Sequence, residues 1–187
     1  FEFLTEAEQL KSSYVIRARC DRQLIAEDSE GHECILEALA NASVLGEREV
    51  DIPGTGKRKA RTAIVTVRTA AVTINPPQRR GHAKDSASME PSTGNVIAAS
   101  EEHPPEGTES ISWVLLTNLP VNTFKQASEK IDWYAKRWGI ETWHKVLKSG
   151  CQVEDCMLEQ AERLARYLAL FSIIGVRLMY IGYLARE

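Results

Sequence analysis

Apolar positions change their spacing several times along this chain, and each change marks an element. In Phe1–Ser13, Phe3, Leu4, Ala7 and Leu10 recur at helical spacing. They predict a helix already under way at the first residue, with no cap before it, as expected of a segment cut from a longer chain. Ser13–Arg19, "SYVIRAR", is β-branched and aromatic, and predicts a short strand. Glu33–Ala42 suits a short helix ending near Gly46. Between Val44 and Pro77, Val65, Val67 and Thr69 alternate with Ile64, Thr66 and Arg68, which predicts antiparallel strands with one wet face. His82–Gly94 is polar and predicts a loop. "NVIAASEE" predicts another strand, and Ile111–Pro120 a buried one stopped by its proline. Asn122 or Thr123 then caps a helix whose pattern runs to Lys148, with Gly150 ending it. A last long helix is predicted from about Asp155 to Glu187.

The resulting fold class is mixed α/β, with long helices at the carboxy end. Residues 44–109 are β-rich and charge-segregated, and are expected to be an insertion between 1–43 and 110–187. At 187 residues and 43 % hydrophobic composition, the chain can bury a substantial core. "YLALFSIIGV" and "LMYIGYLA" flank Arg177. Each falls short of a membrane span, so a buried helix and no membrane partner are expected.

A net charge of −3 conceals a segregated distribution. Ile52–Lys84 carries eight Lys/Arg and no acid, whereas Asp85–Ser110 carries six acids and no Lys/Arg. "KRKAR", Lys57–Arg61, is a candidate nucleic-acid patch. The four cysteines, Cys20, Cys34, Cys151 and Cys156, follow no disulfide or zinc spacing. Reduced thiols and a cytoplasmic location are expected, since the start has no basic or apolar leader.

The densest chemistry lies in "WYAKRWGIETWHKVLKSG", Trp133–Gly150. On one continuous helix Tyr134, Arg137, Trp138, Glu141, Lys145, Lys148 and Lys130 share a face about 100° wide, with His144 at its border. Trp133, Ile140, Trp143 and Leu147 take the apolar side. A solvated face with Glu141 in i,i±4 pairs to Arg137 and Lys145 accounts for this arrangement. So does a surface for a polyanion, with a metal ion held at the acid.

Tyr134, Arg137, Glu141 and Lys148 also form the signature Y-x2-R-x3-E-x6-K. With "RWGIETWHKVLKSG" and "WVLLTNLPV" around it, the chain resembles bacterial insertion-sequence DDE transposases of the cut-and-paste type, in the carboxy-terminal part of their catalytic domain. The resemblance implies a partial RNase H-like core interrupted by an antiparallel β insertion. It implies that Glu141 is the third acid of the D-D-E triad and a ligand of Mg²⁺ or Mn²⁺. Arg137 and Lys148 would then contact transposon-end phosphates, with Tyr134 beside them. Trp113, which by composition alone suits a core strand, would stack on a base out of the duplex. Arg17 would lie near DNA, as would Lys145 and His144. The triad's two aspartates belong upstream of a segment like this, and Asp21 is out of place to substitute. The chain alone is therefore expected to be inactive, within a parent enzyme that nicks and joins transposon ends, dimerises through regions outside it and works at the bacterial nucleoid. A degenerate, non-catalytic DNA-binding or interaction module is the alternative.

Overall fold

The computed structural model describes residues 2–52, 54, 59–76 and 90–185, with Trp138 described by its backbone alone. The chain forms two compact units, Phe1–Ala135 and Lys136–Glu187.

The first unit is a five-stranded antiparallel sheet covered by helices on both faces. In chain order it comprises α1 (Glu2–Gln9), β1 (Val15–Arg17), α2 (Ile35–Asn41), β2 (Val44–Ile52), β3 (Arg61–Ile74), β4 (Ser92–Ser100), β5 (Ser112–Thr117) and α3 (Phe124–Ala135). The strand order is β1-β5-β4-β3-β2. Strands β2 to β5 form a meander, and β1 returns to pair with β5 across the longest sequence separation in the sheet. Strands from residues 44–109 thus share one sheet with β1 and β5.

The expected wet face is confined to the β2 edge of the sheet, where Glu47, Glu49, Asp51, Thr62 and Ile64 are exposed while Val50, Ile52, Ala63 and Val65 are buried, and nearer the middle both faces are covered. Ala63, Val65, Val67, Ile97, Ala99 and Leu115 pack with Ala127 and Ile131 of α3. Their sequence neighbours Val96, Ala98 and Leu116, with Val72 and Ile74, point the other way onto Leu4 and Ala7 of α1 and Ile35, Ala38 and Leu39 of α2. Period-2 geometry sends successive side chains to opposite faces. A run such as Val96–Ala99 with no polar residue therefore has to be covered on both. Each fully buried side chain of this size contributes about 1.5–3 kcal/mol of apolar transfer. The described part of the expected 82–94 loop differs as well. Ser92–Gly94 extends β4 and pairs with Val72–Ile74, while residues 82–89 lie outside the described residues.

Element ends follow local chemistry. Helix α1 stops at Gln9 rather than Ser13, because Lys11 adopts φ 51°. The Lys11 and Ser12 amides donate to Glu8 and Ala7 carbonyls at 3.0 and 2.8 Å, a Schellman ending that uses lysine where glycine is usual. Thr123 Oγ1 accepts from the Gln126 amide at 3.3 Å and caps α3. Asp21 Oδ1 accepts from the amides of Arg22 and Leu36 at 3.0 and 3.1 Å. That carboxylate is thereby committed to the start of α2. Gly46 sits at the register shift of β2 with φ 156°, and a Cβ there would lie 3.0 Å from the Phe124 ring.

In the second unit, α4 (Trp138–Lys145) runs into a π-helical turn, Val146–Gly150, then a 3-10 turn at Val153–Asp155, then α5 (Ala161–Leu184). Two expectations change here. The helix predicted to run to Lys148 is interrupted at Lys136 and Arg137, where the Gly139 and Ile140 amides make tighter i→i−3 bonds of 2.9 and 3.0 Å. Gly139, a poor residue for a helix interior, adds no support at this point. The final helix is continuous through Arg177 and largely exposed, with Gly175 its buried residue. It is long and apolar enough to cross a membrane by length and composition.

Candidate functional site

Helix α4 presents Glu141 half exposed, 3.9 Å from Arg137 Nη2 one turn earlier. An exposed pair at that distance is worth at most about 1 kcal/mol, so the carboxylate remains open to a stronger partner. His144 and Lys145 follow on the same helix, both exposed. The His144 ring lies 5.0 Å from the Trp143 ring at 51°. Trp143 and Leu147 turn toward α5 and close on Gly175, where a Cβ would meet them at 3.2 to 3.4 Å. This close approach fixes which side of α4 is left for Glu141.

Lys148 lies inside the π turn, closed by the Cys151 amide donating to the Val146 carbonyl at 2.9 Å. On an unbroken α-helix, seven residues bring a side chain back to within about 20° of its starting direction. The wider turn rotates Lys148 away from that position, and Lys148 Nζ meets Glu154 Oε1 at 2.6 Å. The sequence carries no signal for Glu154 as a partner, since its spacing from Lys148 fits no helical period.

Tyr134 is at the end of α3 in the first unit, so it does not share a helix with Glu141. It meets Trp113 edge-on, centroids 5.1 Å apart at 72°. Both rings are partly buried against the α3-side core. Arg17, exposed at the end of β1, donates from Nη2 to the Ser112 carbonyl beside Trp113 at 3.1 Å. Lys130, placed by periodicity on the exposed stripe, is buried instead. It pairs with Glu129 and lies 4.8 Å from the centroid of the Trp133 ring. The structure therefore groups Arg137, Glu141, His144, Lys145 and Lys148 in one unit, and Arg17, Trp113 and Tyr134 in the other.

The basic block fares differently. Lys57 and Arg58 lie outside the described residues. Arg61 is turned inward, where both terminal nitrogens clasp Glu101, Nη2 to Oε2 at 2.7 Å. Glu101 also accepts from the Ile111 amide at 3.1 Å. The Arg61 hydrogen bonds hold the Glu101 carboxyl below its ordinary pKa, against the opposing effect of burial. This pair is structural, and Arg61 is not available to a phosphate.

As a metal ligand, Glu141 offers an exposed, weakly paired, hard oxygen donor of the kind Mg²⁺ and Mn²⁺ take. Among the described residues, no group of three or more His, Cys, Asp and Glu is arranged to hold an ion. All four cysteines are free. The donor set fits one ligand of a larger site.

A family model described as "Transposase DDE domain" matches residues 2–174, which takes in the first unit, the second as far as the middle of α5, and every candidate site residue.

Proposed function

We propose, from the premise that this chain belongs to the transposase DDE domain family, that it supplies the third acid and the adjoining DNA-contacting surface of a cut-and-paste insertion-sequence transposase. Family membership makes transposition the function, DNA the partner and a divalent metal the expected cofactor. The observation that carries the finer reading is Glu141. It is an exposed carboxylate on a packed helix, with Arg137 one turn before it and His144 and Lys145 one turn after.

In this reading the chain contributes part of an RNase H-like core, with 44–109 as its β insertion. Glu141 supplies one oxygen ligand to Mg²⁺ or Mn²⁺, which, when bound by the complete triad, supplies charge neutralisation for in-line phosphodiester transfer. Arg137, Lys145 and Lys148 hold transposon-end phosphates in register, and His144 donates to the same backbone. Trp113, braced by Tyr134, offers a ring face to an unstacked base, and Arg17 contacts the strand beside it. Two more carboxylates must join Glu141 before an ion pair can be held, so the chain by itself binds without cutting. The parent works as a homodimer on chromosomal DNA in the bacterial cytoplasm. Arg177, about two turns before the end of α5, argues for a protein-facing rather than a lipid-facing helix, since a charge within the apolar part of a span costs up to about 2.5–3.5 kcal/mol.

The test is metal-dependent nicking of transposon-end DNA by a protein carrying this domain with the remaining two acids. Glu141→Gln is expected to abolish nicking while binding persists. The alternative is a non-catalytic DNA-binding module, and the same experiment separates the two. Binding with no nicking in either version would establish that one.

A further inference from the structure

One edge of β3 is paired in two pieces with a gap between them. The pairing with β2 ends where Val44 faces Arg68, and the chain ahead of α2 takes it up where Leu24 faces Ile74. Beside that bridge, the Thr73 carbonyl accepts from the Ile25 amide at 2.8 Å and the Thr73 amide donates to Ser29 Oγ at 3.0 Å. Among the described residues no strand runs alongside residues 69–71, and Ala71 is exposed although β3 lies inside the sheet. A cleft of about 340 Å³ opens at this gap. Ala71 pairs with Asn95, which shares the α3 side with Ile97, whereas Ala70 packs with the cluster under α1 and α2. Successive side chains alternate between faces, so the cleft lies across the sheet edge. Asn95 and Asn122 line it toward α3, and Glu30 and Asn41 line it from the turn before α2 and the end of that helix, with His32 near Glu30.

The polar lining leans to acceptors. Asn41 and Asn95 donate through Nδ2 to the Glu37 and Leu119 carbonyls at 3.0 and 2.9 Å, and each keeps Oδ1 without a partner. Glu30 is the one carboxylate among the described lining residues, which include no lysine or arginine, and it has no cationic partner. Its backbone is held at φ 54° between Ser29, buried against Thr73, and Gly31, whose amide donates to the Ala26 carbonyl at 2.8 Å. A side chain in the left-handed region is uncommon, and persists where its neighbours fix it. One negative charge, amide oxygens on both sides and alanines at the edge suit a cation rich in N–H donors on a short aliphatic stem. A guanidinium carries five such donors and no acceptor. A cavity of about 150 Å³ takes benzene, so this cleft has room for a stem and its head group together. We infer that it is a binding site for an alkylguanidinium, its head on Glu30 and Asn41 and its far end on Asn95 and Asn122. The source is an arginine side chain of another protein chain or a free guanidine-bearing amine. The inference is independent of the DNA reading.

The test titrates the isotope-labelled chain with N-acetyl-arginine amide and with agmatine, following amide NMR signals at neutral pH. N-acetyl-citrulline amide, of the same shape and uncharged, is the control. Saturable shifts are expected at Ala70, Ala71 and the side-chain amides of Asn41 and Asn95, and citrulline should bind at least fivefold more weakly than arginine. Glu30→Gln should weaken either cation about fivefold, the worth of an exposed charge pair. Ala71→Leu fills the cleft without changing its charge and should remove binding. Both positions are exposed, so both variants are expected to fold. Capped arginine bound at least as tightly as agmatine assigns the cleft to a protein's arginine, and weaker binding assigns it to a free amine. Citrulline equal to arginine, affinity unchanged in Glu30→Gln, binding that survives Ala71→Leu, or no saturable shift with either cation overturns the inference. The DNA reading stands or falls separately, on nicking.

Discussion

Arg61 and Glu101 show how a residue's surroundings decide its meaning. In the sequence Arg61 closes a basic run, and nothing in its spacing names a partner forty residues away. In the fold it neutralises a carboxylate whose side chain is 3 % exposed. Removing one partner of a buried pair leaves the other uncompensated, so Arg61→Ala is expected to cost about 3–5 kcal/mol in urea unfolding at neutral pH. The pair also sets an acid response. Because the folded carboxyl titrates below its unfolded value near 4.5, its stabilisation is complete above that pH and is lost as pH falls toward the folded pKa. Glu101→Gln should flatten this part of the stability profile, and a slope unchanged by that substitution would show that other groups govern it. The exposed position of Glu141 beside Arg137, by contrast, follows from local spacing. Glu141 stands one turn from Arg137, and that i,i+4 spacing is visible in the sequence itself.

Among the elements, the misread ones share a cause. Periodicity extends a helix through any stretch with suitable residues, yet the chain breaks at Lys136–Arg137 and widens at Val146–Gly150. Tyr134 and Lys148, at the two ends of the signature, are the residues displaced by those departures. The π turn has a measurable consequence for Lys148, which is held by Glu154 in the absence of DNA. If Lys148 meets a phosphate, Glu154 competes with it, and Glu154→Gln should tighten DNA binding by no more than about fivefold, the worth of an exposed pair. Unchanged affinity, measured alongside Lys148→Ala, would mean that the two side chains do not compete. The register shift in β2 was similarly hidden, because Gly46 reads as the stop of the preceding helix, whereas α2 ends at Asn41 and Gly46 lies inside β2. Gly46→Ala places a methyl group against Phe124. A loss of about 1–3 kcal/mol in thermal or urea unfolding is expected, as for overpacking elsewhere.

At the scale of the whole molecule, the two units differ in self-sufficiency. Residues 1–135 enclose two apolar clusters on either side of a sheet. In residues 136–187 Trp143 and Leu147 pack on α5 at Gly175, Trp143 Nε1 donates to the Ser172 carbonyl at 3.5 Å, and the long helix leaves Leu170, Ile173, Val176 and Ile181 more than half exposed. A short helical pair with so little buried surface falls below what a domain needs to fold alone. The segment 1–135 is expected to unfold cooperatively by itself, whereas 136–187 alone should show weak, non-cooperative helicity by circular dichroism. A cooperative transition in the shorter piece would reverse this assignment. Hydropathy had suggested a buried last helix, because composition reports how much a segment gains from burial and not what is present to cover it.

The pairing of β1 with β5 matters for the order in which the molecule comes into being. Val15 faces Thr117, and the Thr117 hydroxyl donates to the Tyr14 carbonyl at 2.6 Å. At about 5–20 residues per second, the ribosome delivers β5 roughly 5–20 s after β1 has left it. Throughout that interval the first strand and the apolar side of α1 are without the sheet that covers them. The meander from β2 to β5 can zip hairpin by hairpin as it emerges, and α1 and β1, made before it, are among the last elements to be seated. A newborn chain therefore passes through a span of seconds in which α1 and β1 are already made and still adhesive.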